Sequence, residues 1–432
     1  MFHARDQKEM DNVLCDELLL GILQRLPPSS SPAVSLVSKR WLHNYRISKT
    51  SISLRIPANN ASFPYSLSQY PYLSSLSLTS DISSHCSKSQ FFTGPVFLRI
   101  PSDNSSVSCF SYFLCKYPFL SSLSLVSDNA YRDCVVFNDL LYSVASSCLN
   151  LRHLRFFAGP VPPSALFSLP ISRNLTSLNI SSFALLPCYG MNSNLVRGSS
   201  SELSCEGTSD GVSSNSFKKC LHGIEELELR ISRAIVDVVL LQLEHNCESL
   251  KSLLVYDGSS RGGFHHFFCR SIGKRNLRSL DLCLPLDLDK DHLFAIAVNF
   301  KDLMSLLLQN CYLITGKGLR TLGLSMSDIL EELSLINCDV AKREPRLLTM
   351  LGQNLRVLKI LDLELTETAM VSMSKNCIFL ENVDINQCWG IGERGIEVLA
   401  VNFPRLRRIE ADQGNLADVT RTRAMKKSIE VV

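Results

Sequence analysis

The chain has 432 residues, 45% hydrophobic and 20% charged, which allows a large buried core and excludes a polar, disordered chain. A net charge of +3 without a long Lys/Arg run excludes a strong polyanion-binding footprint, so no nucleic-acid partner is expected. No apolar run reaches the roughly 18–20 residues that cross a bilayer, and residues 1–12 lack the apolar stretch of a secretory signal. We therefore expect no membrane partner, a cytoplasmic and/or nuclear location, and 16 cysteines present as reduced thiols with no C-x-x-C among them.

Residues 1–12 read as a flexible N-terminus, and 13–50 as a small helical head. In "VLCDELLLGILQRLPP", Leu18, Ile22 and Leu26 recur every four residues, with Leu19 and Leu23 beside them. That spacing predicts a helix, for which Asp16 is a candidate N-cap. "PPSSSP" breaks it. A second helix is expected to carry Val34, Val37 and Trp41 at i, i+3 and i+7. A unit this small cannot bury so many large apolar side chains internally, so some must meet a partner or the rest of the chain.

From residue 51 to 412 the chain repeats itself. The first half is irregular, with strand-like runs starting at Tyr72, Phe119, Leu151 and Leu175. "SISLRIPANN" (51–60) and "VFLRIPSDN" (96–104) read as copies of one segment. A Ser/Gly-rich insertion at 192–216 reads as a flexible loop, and "DGSSRGG" at 257–263 as a shorter breaker. The second half is regular. L-x-x-L-x-L runs start at Ile224, Leu250, Leu277, Leu303, Leu330, Leu355, Leu380 and Leu406, separated by 26, 27, 26, 27, 25, 25 and 26 residues. Each run predicts a short strand, because its last two apolar positions lie two apart. Helical spacing follows, as in Leu293/Ile296/Phe300, Met370/Met373/Cys377 and Ile396/Leu399/Phe403. One such unit cannot bury its apolar side alone, but stacked units form a solenoid with a parallel sheet. Residues 413–432 read as a mildly basic C-terminal tail that caps or trails the solenoid.

Two stretches invite other chemistry. Gly390, Gly392 and Gly395 spell G-x-G-x-x-G after a strand-like run, the outline of a dinucleotide-binding loop. The same turn recurs without the full triplet in "NCYLITGKGLRTLG", where Cys311 aligns with Cys388 and Gly318 with Gly395. A repeat turn explains both stretches and a cofactor loop only one, so no cofactor is expected. His265, His266 and Cys269 cluster in "GFHHFFC", but a tetrahedral metal site needs more ligands than this run supplies. The cysteines of the repeats recur once per unit and so lie along a line. No nucleophile, metal or phosphate-loop motif accompanies them, and no catalytic residue is expected.

The repeats resemble leucine-rich repeats of the cysteine-containing subtype, with Cys311, Cys338 and Cys388 after the strand and Cys247 and Cys377 before the next one. The resemblance implies an α/β fold: a right-handed solenoid with parallel strands on a concave face and helices on the convex face. The head resembles an F-box through Leu14, Glu17, Leu18, Ile22, Leu23, Leu26 and Pro27, followed at the family's spacing by Val37, Ser38, Lys39 and Trp41. Cys15 stands where that family usually has Pro. This resemblance implies a non-catalytic receptor of a ubiquitin ligase, docked on a Skp-type adaptor and through it on a cullin. The implied adaptor contacts are Leu14, Leu18, Ile22, Leu23, Leu26, Val37 and Trp41; some of them could instead only pack the head against the first repeats. In the repeat, side chains flanking the strand leucines face the concave surface. There Leu254, Tyr256, Leu307, Ile336 and Leu361 suggest an apolar patch rimmed by charge, for an unidentified protein substrate. The alternatives are cover of this patch by the 192–216 loop, and a scaffold that works outside any ligase.

Overall fold

The computed structural model describes residues 14–27, 30–57, 69–81, 117, 119–126, 144, 148–158, 174–182, 220–230, 233–256, 263–270, 276–338, 352–412 and 418–432. The second copy at 96–104 and the insertion at 192–216 lie outside them. The chain divides into two compact units, Met1–Cys220 and Leu221–Val432.

The first unit opens with three helices: α1 (Asp16–Arg25), α2 (Ser31–Val37) and α3 (Lys39–Ser48). Two expectations are corrected here. Asp16 is the first helical residue and not the N-cap; Cys15 occupies that position without a side-chain cap bond. The expected second helix is two, because Ser38 turns fully extended and its hydroxyl accepts the Trp41 N–H at 3.2 Å. A serine that satisfies an orphan N–H starts a new helix there, whatever the apolar spacing around it. Both α1 and α2 pack on α3. Five parallel strands follow in chain order: β1 (Ser51–Pro57), β2 (Ser75–Asp81), β3 (Ser122–Val126), β4 (His153–Ala158) and β5 (Ser177–Ser182). Leu76, Leu123, Leu154 and Leu178 share one register row, and all are buried.

Among the described residues the second unit alternates strand and helix except between β10 and β11. Its elements are β6 (Glu226–Arg230), α4 (Arg233–Asn246), β7 (Ser252–Tyr256), α5 (Gly263–Arg270), β8 (Ser279–Cys283) and α6 (Lys290–Asn299). Then come β9 (Ser305–Gln309), α7 (Gly316–Ser325), β10 (Glu332–Ile336), β11 (Val357–Leu361) and α8 (Glu367–Asn376). The last are β12 (Asn382–Asp384), α9 (Glu393–Asn402), β13 (Arg408–Glu410), α10 (Asp418–Lys426) and β14 (Glu430–Val431). All nine strands are parallel and in sequence order. Within the expected tail, residues 418–432 supply α10 and the strand β14, whose Val431 pairs with Ile409 at the end of the sheet.

The repeat is visible in single atoms. The carbonyl of Glu225 accepts from the N–H groups of Lys251 and Ser252, at 2.7 and 3.0 Å. The Lys251 carbonyl does the same for Arg278 and Ser279, and the pattern runs on to Glu381 with Arg407 and Arg408. Leu227, Leu253, Leu280, Leu306, Leu333, Leu358, Val383 and Ile409 form one buried row across the sheet. Each such side chain contributes about 1.5–3 kcal/mol by leaving water. The helix residues expected to face inward, including Leu293, Ile296, Phe300, Met370, Met373, Ile396, Leu399 and Phe403, are buried.

After four of these strands the chain turns through a left-handed residue: Leu284 (φ 54), Asn310 (φ 54), Asn337 (φ 48) and Asp362 (φ 55). Gln387 (φ 60) serves the next repeat. Asn and Asp visit this region more readily than other side chains, because their short polar groups bond locally. Asn337 Nδ2 donates to Asn310 Oδ1 at 2.7 Å, tying two turns together. The cysteine that follows is buried, and its thiol donates across the turn: Cys338 to Leu308 O at 3.3 Å, Cys388 to Ile360 O at 3.0 Å.

Candidate interaction surfaces

The head is built around Leu19, Leu23, Val34 and Tyr45, all buried, with Leu14, Leu26 and Trp41 partly buried against them. Leu19 and Leu23 stand one helical turn apart on the face of α1 turned inward. Leu23 was a candidate contact with packing as its alternative; it has no exposed area and packs the head's own core. Leu14, Leu26 and Trp41 divide their surface between core and solvent, and Val37 is half-buried at the end of α2. Leu18 and Ile22 are different. They are 60% and 45% exposed, one turn apart, on the outward face of α1. Leu36 on α2 is 82% exposed and was not singled out from the sequence. Its signal was its place outside the Val34/Val37 spacing, which left a large aliphatic side chain no inward position.

Polar contacts fix α1 against α3. Arg40 donates to Asp16 Oδ1 from Nε at 3.0 Å and from Nη2 at 2.8 Å, and Nη2 also reaches the Leu14 carbonyl at 2.7 Å. Asn44 donates to the same Asp16 oxygen at 2.9 Å. These bonds, Arg40 first and Asn44 second, hold the Asp16 carboxyl below its ordinary pKa. At the other end of α1, Lys49 Nζ caps the carbonyls of Leu23 and Leu26, both at 3.0 Å. Cys15 adopts φ −65, the angle a proline ring enforces. The backbone at the position where proline is usual is thus the one proline would give.

The open face of the second sheet carries the other candidates. Leu254, Tyr256, Leu307, Ile336 and Leu361 are all half-buried there, as their alternation with the buried leucines requires. The register does not join them into one patch. Leu254 and Tyr256 share β7. Ile336 and Leu361 are cross-strand neighbours, and Leu307 lies diagonal to Ile336. Between the two groups runs β8, with Asp281 between Leu254 and Leu307, and Cys283 between Tyr256 and Gln309. Cys283 is buried within that row, and burial first, then Asp281, pushes its thiol up to about 11. A small thiol in a row with Tyr256 and Gln309 is overtopped by its longer neighbours. Burial, the first cause, also raises the Asp281 carboxyl. Glu228 and Glu332 raise it further and Arg230 lowers it. Arg230 is itself bound to Glu228 Oε1 at 2.6 Å, and Lys359 to Asp384 at 2.9 Å.

The remaining sequence candidates fall into the scaffold. Gly390 adopts φ +84, and a Cβ there would meet the Leu365 carbonyl at 2.6 Å. Gly395 lies inside α9, where a Cβ would press on Ile391. Gly390 lets the preceding repeat's turn approach closely, and Gly395 leaves room for Ile391 of its own repeat. In α5, Phe264 and Phe268 stack at 5.4 Å in the core, while His265 approaches Cys269 Sγ at 3.6 Å. Among the described residues no three metal-ligating side chains converge, and no helix is long and apolar enough to cross a membrane.

The family model described as F-box domain matches residues 12–43. Among solved structures, the chain is similar to one in the crystal structure of the Rad7 and Elc1 complex in yeast. They share 14% identity with a TM-score of 0.49, over 99% of this chain and 94% of that one. No curated protein matches the chain.

Proposed function

We propose that this chain is the substrate-recognition subunit of a Skp–cullin–F-box ubiquitin ligase. The carrying observation is the coincidence of the F-box match at residues 12–43 with an outward apolar stripe on α1, Leu18 and Ile22, that the head's own core does not use. Moving a leucine of this kind from water into an interface contributes about 1.5–3 kcal/mol, so two or three of them anchor a partner. In this reading Leu18, Ile22 and Leu36 dock on a Skp-type adaptor that links to a cullin, with Leu14, Leu26, Val37 and Trp41 at the rim. The open face of the second sheet, with Leu254, Tyr256, Leu307, Ile336 and Leu361, holds a protein substrate. The chain does no bond chemistry. It raises the effective concentration of substrate beside a charged ubiquitin carrier. Such an assembly works in the cytoplasm or nucleus.

Co-expression with a Skp-type adaptor, followed by size-exclusion chromatography, tests the reading. Wild type is expected to co-elute with the adaptor, and Leu18→Asp/Ile22→Asp to elute alone and folded, because both side chains point away from the core. Failure of folded wild type to co-elute contradicts the ligase assignment and leaves a repeat scaffold.

A further inference from the structure

Asp281 stands out on the open face of the second sheet. The register sets it in one row with Leu254 and Leu307, about 4.8 Å to either side. It is half-buried, and among the described residues it has neither a hydrogen-bond nor an ion-pair partner. The cation that acts on it, Arg230, is engaged by Glu228 and lies over the Tyr256 ring at 5.8 Å. The next along the same row, Lys359, is engaged by Asp384. Of the charges that act on it, Arg230 is of opposite sign and the strongest, and Glu228 and Glu332 are of Asp281's own sign. A carboxylate half-buried between two leucines, whose opposing cation is already engaged by Glu228, is disfavoured in the free protein. It becomes favourable when a cation arrives with apolar groups that close the site around it.

We infer that this face receives an extended protein segment in which a lysine or arginine meets the Asp281 carboxylate, while apolar neighbours in that segment cover Leu254 and Leu307. The inference rests on the reading of this face as the substrate surface, and names the chemistry of what binds there. Charge complementarity selects the occupant: β6 to β10 present Glu226, Glu228, Asp281 and Glu332 outward against Arg230 alone. An acidic segment would meet four carboxylates, whereas a basic one relieves Asp281, which is half-buried without a partner while Glu226 is exposed.

The test is selection of random linear peptides displayed on phage against the full-length chain. Three variants serve as counter-targets: Asp281→Asn, Asp281→Lys and Leu307→Arg. The first keeps the shape of the side chain and removes only its charge, so a folded, binding-competent surface is retained. Recovered peptides are expected to be enriched in Lys or Arg beside an apolar residue. Synthetic copies should bind Asp281→Asn about tenfold more weakly or worse, since a charge-assisted bond is lost. Asp281→Lys should select acidic residues in their place. Peptides that lose binding on Leu307→Arg yet show no basic preference overturn the inference and spare the substrate surface. Peptides indifferent to all three variants overturn both.

Discussion

The three-helix head and the repeat unit of Leu221–Val432 solve opposite problems. The head has too little interior for its apolar residues. Leu19, Leu23, Val34 and Tyr45 fill its core, and Leu18, Ile22 and Leu36 are left in water. The repeat unit has interior to spare. Its strand leucines are buried row upon row, and the side chains of its open face are half-buried and mixed with charge. The difference shows where to look for contacts. In a small unit, a surplus of exposed aliphatics marks the surface. In a solenoid, where every repeat already has a core, the informative residue is the polar one without a partner, here Asp281.

The contrast can be broken at its structural end first. Leu23→Ala in the head removes a fully buried leucine, with a loss of about 2–5 kcal/mol expected of the head alone. The protein has two tryptophans, so a Trp389→Phe background leaves Trp41 as a fluorescence reporter of head unfolding in urea. In the repeat unit, Gly390→Ala places a Cβ at a left-handed position 2.6 Å from the Leu365 carbonyl. A loss of about 1–3 kcal/mol is expected, read by the same titration with Trp389 retained. Smaller and opposite in sign is Leu284→Asn. The other turns carry Asn, Asp or Gln at this φ, and relief of leucine there should stabilise by about 0.5–1 kcal/mol.

The smallest effect sharpens the account of Asp281. Its pKa is raised in the folded state, so the folding penalty of its charge is absent below the ordinary value of 3.8 and present above the raised one. Wild-type stability therefore falls, relative to Asp281→Asn, as pH rises through that window. Thermal melts should show the variant higher at pH 7, with the gap closing toward pH 3. A gap that does not change with pH would deny the burial of this charge.

Much of this was legible in the sequence because repetition averages out local ambiguity. Eight L-x-x-L-x-L runs at near-constant spacing place eight strands, and the buried row from Leu227 to Ile409 follows from their alternation. The head offered no such averaging. In "ELLLGIL", Leu18, Leu19, Leu20, Ile22 and Leu23 are all apolar, so which of them face inward depends on where α3 packs. The resemblance offered Leu23 as a contact with packing as its alternative, and periodicity could not decide between them. The break at Ser38 was hidden for a related reason: the i, i+3, i+7 spacing of Val34, Val37 and Trp41 continues across it, while one hydroxyl decides the backbone. The strand at Glu430–Val431 is too short and too polar to carry a pattern, and exists because β13 offers an edge. Asp281 was visible as a residue on the open face, but the loss of its solvent between Leu254 and Leu307 emerges only from register.

The most direct measurement is isothermal titration calorimetry of a purified Skp-type adaptor into three folded forms of the full chain: wild type, Leu18→Asp and Leu23→Val. The account predicts binding to wild type, loss of measurable heat with Leu18→Asp, and near wild-type affinity with Leu23→Val at reduced head stability. Equal binding by wild type and Leu18→Asp, or loss confined to Leu23→Val, would contradict it, because the adaptor would then not be reading the outward face of α1.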